Sequence, residues 1–415
     1  MRPQPRRRAT AFRRAALVSW LLVTAGCSSG HATTTQPAAV TPRPAAVAPL
    51  AQPRTGAAPA STPAPQPQPT PQSFTIAATG DLLIHMPVAN RAKIDGQASG
   101  KSYDFSPMLA RVRGQLSRAD LAVCHVETPL SADDTHISGY PVFNTPHALV
   151  DAIKATGWES CSTASNHSID HGETGVRATL DWLDKVGVAH AGTARSAQEA
   201  QRVEMHTVNG VRVGLLAYTY GTNGVPVPAA KPWLVNVVNV PKILADAHAA
   251  RKAGAQFVAV SMHWGQENQT APTALQRSQA AALLASPDVD LIIGDHVHVV
   301  QPIERIGSKY VIYGLGNFLS NQTAACCPAK SQDGIIATAT LTAAAGGRWN
   351  TTIRYTPTWV EVGPYVVHPV AADLNDPATP AALRSALQVS WSRTVAAVTS
   401  LPGHAHDATP DLMPR

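Results

Sequence analysis

The amino-acid sequence predicts an α/β domain built on mixed β-sheets between residues 73 and 370. Three observations carry that expectation. Short apolar runs of strand character alternate with runs of helical spacing through the first two thirds of the chain. Asn209-Gly210 sits between two apolar runs and marks a tight hairpin inside that alternation. The last third is mainly strand-like, so antiparallel pairs are expected beside parallel ones.

Taken in order, residues 74–79 form a short apolar strand, and 107–118 have helical spacing through Met108, Leu109, Val112 and Leu116, with Pro107 in the first turn. A second strand spans 121–126, a helix 146–156 stops at Gly157, and a third strand covers 158–164. The helix 173–186 stops at Gly187, and 203–206 and 211–218 flank the hairpin turn. A helix over 241–253 stops at Gly254 and leads into strand 257–262; helix 273–285 leads into strand 289–293. Strands at 310–313, 335–341 and 352–362 follow. Residues 371–415 read as peripheral, with one helix over 380–395 and a tail.

The formal charge of +6 is a property of the leader. Residues 1–26 hold six arginines and no acid; the remainder balances 27 Lys+Arg against 27 Asp+Glu. That balance argues against a nucleic-acid partner. The arginines precede the apolar run 15–25, which is too short for a spanning helix and reads as a secretory signal peptide. Leu22-Val23-Thr24-Ala25-Gly26-Cys27 resembles a bacterial lipobox, implying cleavage before Cys27, a lipid on its thiol and a membrane lipoprotein. The alternative is ordinary cleavage nearby and a secreted protein. Residues 27–72 are rich in Pro, Ala, Thr and Gln; too few large apolar groups are present to offset the entropy of ordering, so they read as a tether. In extended form it reaches on the order of 100 Å. Of the other cysteines, Cys124 and Cys161 lie in apolar strands and read as buried small hydrophobes; a bridge from either to Cys326 or Cys327 stays open.

Polar residues recur at the strand ends: Gly80-Asp81 with His85 beyond, His125-Val126-Glu127, Asn166-His167, His263-Trp264-Gly265, and Gly294-Asp295-His296-Val297-His298. Singly, each has an ordinary explanation as a cap, a turn or a core imidazole. Open α/β sheets bind ligands beyond the carboxyl ends of their strands, where all five groups would meet. Carboxylate, amide oxygen and imidazole together suit two divalent ions of the Mn, Fe, Co or Zn type. A bridging carboxylate between ions about 3.5–4 Å apart suits hydrolysis, and a free His beside them could protonate a leaving group. From its residue type alone, Asp170 reads as a cap for the helix after the turn; His171 reads as an incidental neighbour.

As a set, Gly80-Asp81, Glu127-x-Pro129, Asn166-His167-x-x-Asp170-x-Gly172-x-x-Gly175, His263-Trp264-Gly265-x-Glu267, Gly294-x-His296-x-His298-Val299-Val300-Gln301 and Tyr313-x-Leu315-Gly316-Asn317-Phe318 resemble the CapA family. Those are bacterial poly-γ-glutamate capsule synthesis proteins with a calcineurin-like metallophosphoesterase fold, and the resemblance covers residues 74–362; Phe143-x-x-Pro146 also fits it. It implies a metallo-dependent phosphatase-like sandwich of mixed β-sheets flanked by helices. It further implies one ion held by Asp81, Glu127 and His298, with His85 as a further candidate, and a second held by Glu127, Asn166, His263 and His296. His167 would be the acid, supported by Asp170, with Trp264, Glu267 and Asn317 lining the site. Two positions depart from the family pattern. His85 follows Asp81 after three residues where the fold usually has Asp-x-His, and His125 stands where the family usually has Asn. His125 faces the same side as Glu127 and either adds a ligand or replaces a neighbour.

Two functions compete. One is an envelope-anchored metallohydrolase acting on a phosphoester or a γ-glutamyl amide bond. The other is a non-catalytic component that binds an anionic polymer and assembles with capsule synthase subunits. A binding module with a degenerate site ranks below both, because the ligand set is complete.

Overall fold

The structure is a computed structural model, and it describes residues 72–401 and 408–414. The leader, Cys27 and the tether as far as residue 71 lie outside the described residues. The strands are β1 (Ser73–Leu82), β2 (Leu121–Val126), β3 (Ser160–Ser162), β4 (Ala189–Ala191), β5 (Glu204–Val208), β6 (Val211–Thr219), β7 (Phe257–His263), β8 (Leu291–Asp295), β9 (Ile303–Ile306), β10 (Lys309–Ile312), β11 (Asn317–Leu319), β12 (Asp333–Ala344), β13 (Arg348–Glu361), β14 (Val366–Pro369) and β15 (Thr409–Pro410).

They form two sheets. The first runs β14-β13-β12-β1-β2-β3-β4, with β11 beside β1 and β15 beside β13; the second runs β5-β6-β7-β8-β10-β9. Both are mixed, as the sequence predicts. β1 to β4 are mutually parallel while β12, β13 and β14 run antiparallel. In the second sheet the Asn209-Gly210 hairpin pairs β5 and β6 antiparallel, whereas β6, β7, β8 and β10 are parallel.

Strand alternation explains the layers. On β1, Phe74, Ile76 and Ala78 point between the sheets, against Val213, Leu215, Phe257 and Ile293. Ala77, one residue out of phase, joins the outer layer with Val88, Met108, Leu149 and Ile153. The second sheet covers its outer face with helices Val240–Lys252 and Ala274–Leu284 through Ile243, Ala247, Ala280 and Leu283. Helix Ala381–Val398 closes the far end, where the Arg393 guanidinium forms two 2.8 Å bonds with Asp333. Among the described residues no helix is long and apolar enough to cross a membrane.

Three expectations need correction. Helix Met86–Ala98 was not foreseen, because its buried side is only Val88, Ala89, Ala92 and Gly96, which give little apolar periodicity. The run 107–118 is two separate turns, Ser106–Leu109 and Arg113–Leu116, although its periodic side chains are buried as expected. Cys124 and Cys161 are bonded to each other as a disulfide, with Cα atoms 4.4 Å apart. They face one another in register on β2 and β3, an adjacency that neither strand reveals alone.

Two glycines let the layers close over the strand ends. A methyl group on Gly80 would be driven into the Gly316 carbonyl, and one on Gly294 into that of Tyr313. Gly294→Ala is therefore expected to lower unfolding stability by about 1–3 kcal/mol, the usual penalty of overpacking. A urea midpoint equal to that of the parent would contradict this packing account.

Candidate metal centre

Five strand ends converge here, four of them those of β1, β2, β7 and β8 and the fifth the turn after β3. They bring together Asp81, His125, Glu127, Asn166, His263, Asp295, His296 and His298, all buried. Ligand-type atoms fall into three groups, each within 4.8 Å: Asp81, Glu127 and His298; Asp81, His125 and His263; and Glu267, His296 and His298. Every residue of the first group was proposed from the sequence as a ligand of one ion.

Asp81 links the two sheets. Its Oδ1 accepts from the His296 backbone N–H at 3.2 Å, and its Oδ2 lies 3.0 Å from His298 Nδ1. His298 Nδ1 is also 3.1 Å from Asn317 Oδ1. Both neighbours are acceptors, so Nδ1 carries the proton and Nε2 is left facing Glu127 Oε1 at 3.8 Å. His125 is fixed similarly. Its Nδ1 lies 2.7 Å from Ser162 Oγ, which itself donates to Cys124 O, and its Nε2 is buried without a partner, 3.9 Å from Asp81 Oδ1. His263 Nε2 meets Asn166 Oδ1 at 2.8 Å, and Asn166 Nδ2 donates to Asn223 Oδ1 at 3.2 Å.

The open valences decide what fits here. Both Glu127 oxygens, Asp295 Oδ1, His125 Nε2, His263 Nδ1, His296 Nδ1 and His85 Nδ1 are buried with no hydrogen-bond partner. Among the described residues, the ion-pair partners of Asp81, Glu127 and Asp295 are histidines alone. Buried carboxylates normally need full compensation. This donor set of carboxylates and bare imidazole nitrogens fits divalent cations.

Charge distribution within the cluster follows from burial and proximity. Burial opposes charging His298, but Glu127 and Asp81 outweigh it and push the imidazole up to about 10. Burial drives His125 and His85 down to about 4; burial and the neighbouring His298 charge drive His296 to about 3. Burial lifts the Glu127 and Asp295 carboxyls well above their ordinary range.

The backbone is also unusual. His296 and His298 hold φ of 89° and 58°, left-handed conformations that cost a non-glycine residue about 1–3 kcal/mol each. Beside this cluster, Asp170 Oδ2 lies 2.8 Å from His167 Nδ1 and accepts from the Phe143 N–H at 2.8 Å. The carboxylate thus holds the proton on Nδ1 and leaves Nε2 toward Asn223 Nδ2 at 3.4 Å. The Phe143 ring meets His85 and His167 edge-on, with centroids 5.3 and 4.7 Å away.

Other residues fall differently from the sequence expectation. Trp264 does not line the site: alternation turns its indole into the layer beneath the helices, where Nε1 donates to Tyr313 O. Glu267 is exposed yet within ligand range of His296 and His298, and Asn317 orients His298 from behind. His85 packs near His298 but joins none of the three groups. His171 is exposed, at the start of the following helix. Sequence reasoning placed Asp295 in a strand-end group without giving it a role, and passed over Tyr220 and Asn223. Tyr220 lies 4.5 Å from the His296 ring. It follows β6 directly, so the strand-end rule could have found it had β6 been read past Tyr218.

Residues 75–322 match the family described as "Bacterial capsule synthesis protein PGA_cap". The chain is 31% identical over 174 residues to the PGA biosynthesis protein CapA of Bacillus subtilis, covering 42% of this chain and 45% of that one. It is 28% identical over 176 residues to the capsule biosynthesis protein CapA of Bacillus anthracis, covering 42% and 43%. Each match thus spans less than half of the curated relative's length. Among solved structures it is similar to the calcineurin-like phosphoesterase YfkN from Bacillus subtilis, with a TM-score of 0.40, 16% identity, and coverage of 78% and 98%. The fold assignment rests on the two sheets described above rather than on that score.

Linkage gives a test. His298, raised from 6.5 to about 10, contributes stability that is fully present below 6.5 and lost as pH climbs through 10. The raised carboxyls of Glu127 and Asp295 act in the same direction, and a bound cation would replace the proton they need. Chelator-treated protein is therefore expected to show a falling Tm from pH 7 to 10, and added Mn²⁺ or Zn²⁺ to reduce that fall. A flat profile without metal would count against the charge assignment.

Proposed function

The chain belongs to the bacterial capsule synthesis protein family, and from that premise we propose that it is an envelope-held, metal-dependent hydrolase. Its substrate would be an anionic capsule-type polymer or its precursor, cut at a phosphoester or a γ-glutamyl amide bond. The observation supporting this is the buried set of unpartnered carboxylate oxygens and imidazole nitrogens beside a hydrogen-bonded His–Asp pair.

In this reading Asp81, Glu127 and His298 would hold one divalent ion, and Glu127, Asn166, His263 and His296 would hold a second. His125 would join as a ligand, because its Nδ1–H donates to Ser162 Oγ and leaves Nε2 bare toward Asp81. Bound ions would supply Lewis acidity and a water nucleophile usable near neutral pH. The chain's own residues do the rest. Asp81 and Asn317 hold His298 in the tautomer that presents Nε2, the usual arrangement behind a metal-bound imidazole. Asp170 keeps His167 Nδ1 protonated and stabilises the imidazolium formed when Nε2 takes a proton. His167 then gives that proton to the departing oxygen or nitrogen. Phe143 keeps water from one flank of His167.

We further propose that the leader ends at Cys27 and that a lipid there holds the protein at the membrane through the tether. Cys27→Ala is expected to move the protein from the membrane to the soluble fraction; continued membrane retention of that variant would refute the lipid anchor.

The catalytic reading predicts two things of the purified chain. Divalent metal co-purifies or can be loaded, and Glu127→Gln abolishes its retention. Metal-loaded protein hydrolyses an activated phosphodiester or poly-γ-glutamate, and His167→Ala slows that reaction roughly 10²–10⁴-fold. Metal-loaded protein inert on both substrates, yet retaining the polymer equally with and without His167→Ala, would favour the assembly role.

A further inference from the structure

The loop between β11 and β12 carries Cys326 and Cys327, whose sulfurs lie 2.7 Å apart. One turn makes that contact. The N–H groups of Cys326 and Cys327 both donate to Thr323 O, at 3.1 and 2.8 Å, which folds the adjacent side chains to the same side. Cys326 is exposed and Cys327 half-buried. Neither belongs to any three-ligand group among the described residues, so a resident cation does not account for the pair.

We propose that Cys326 and Cys327 form a reversible vicinal disulfide that responds to a disulfide oxidant and adjusts the metal centre; the second half of this rests on the metal reading above. The chain already joins Cys124 to Cys161, which places its maturation where thiols are oxidised. The reaction is thiol–disulfide exchange. The exposed Cys326 sulfur attacks one sulfur of an oxidant R–S–S–R, forming a mixed disulfide and releasing one R–SH. Cys327 then attacks the Cys326 sulfur, closes the ring and releases the second R–SH. Two electrons and the two thiol protons pass to the oxidant. Exposure makes such a bridge one of the labile kind, open to reduction again.

The same loop reaches the site. Asn317 Nδ2 donates to Gln322 Oε1 at 3.0 Å and to Ser331 O at 2.9 Å, one acceptor on each side of the cysteines. Its other end, Oδ1, is 3.1 Å from His298 Nδ1. Closing the ring between those two anchors shifts the grip on Asn317 and with it the orientation of His298. Glu267, within ligand range of His296 and His298, is close enough for its charge to act on Cys327.

The test uses the full chain, equilibrated with glutathione and glutathione disulfide at several ratios, then alkylated, digested and weighed. The peptide holding Cys326 and Cys327 is expected to escape alkylation on the oxidised side, weighing about 2 Da less than the unmodified dithiol, and to carry two alkyl groups after reduction. Mn²⁺ affinity, read by competition with a chromophoric chelator, is expected to differ roughly tenfold between the two states, the range seen when outer partners of metal ligands change. The double variant Cys326→Ser, Cys327→Ser should show one affinity at every ratio. A peptide that stays reduced, or that keeps a bound glutathione, overturns the bridge. Oxidation without any change in Mn²⁺ affinity overturns the coupling. A chain that takes up Mn²⁺ in neither state defeats the metal reading and the coupling together, while the mass of the peptide still decides the bridge.

Discussion

Asp81 is the contact on which the arrangement depends. It sits on the central strand of the first sheet, and both its oxygens are engaged by the segment after β8 of the second. A sandwich of two sheets needs only apolar complementarity to hold its middle together, and Phe74, Ile76, Phe257 and Ile293 supply that. At the carboxyl ends of the strands the requirement changes. Carboxylates from one sheet must meet imidazoles from the other at hydrogen-bond distance, or the burial of both is uncompensated. The Asp81 carboxylate sets that distance. The left-handed backbone at His296 and His298 accompanies it, in a segment that brings one N–H and one ring nitrogen to the same carboxylate.

Around this contact the polar groups sort into two layers. Ser162, Asn166, Asn317 and Asp170 each satisfy one nitrogen of a histidine, and in His125 and His263 the other nitrogen is left without a partner. A buried polar group with one end tied and the other unpartnered is expensive in a purely structural role. Repeated in His125 and His263, and joined by the wholly unpartnered Glu127 carboxylate, that pattern defines a site rather than a defect. The disulfide contributes by joining β2 and β3, the strand that carries His125 and Glu127 to the one that precedes Asn166 and His167.

Much of this was legible because the relevant residues are abnormal for their position. Aspartate, glutamate and histidine at the ends of apolar strands resist a structural explanation when five such ends occur in parallel topology. What could not be read depended on neighbours in space. The pairing of Cys124 with Cys161 needs the order β2-β3 and its register, which apolar runs do not encode. Helix Met86–Ala98 packs through alanine, valine and glycine, so its apolar period is faint. The family resemblance implied that Trp264 lines the site, and strand alternation sends it the other way. Tyr220 and Asn223 were missed because β6 runs farther than its apolar residues suggest. Asp295 was read within a strand-end polar group without a role of its own, yet it is as buried as the residues around it.

The glycines behind the strand ends have a consequence for how such a protein can change. Gly80 and Gly294 leave no room for any side chain, so the floor of the site is closed to gradual remodelling. Its rim is different. Phe143, Tyr220, Glu267 and the stretch around Cys326 come from four separate connecting segments that share no strand. Each can lengthen, shorten or change composition without disturbing the register of either sheet. Divergence among proteins of this architecture should therefore be written in those four loops, and a comparison of related chains would read differences in specificity there while the strand ends stay alike.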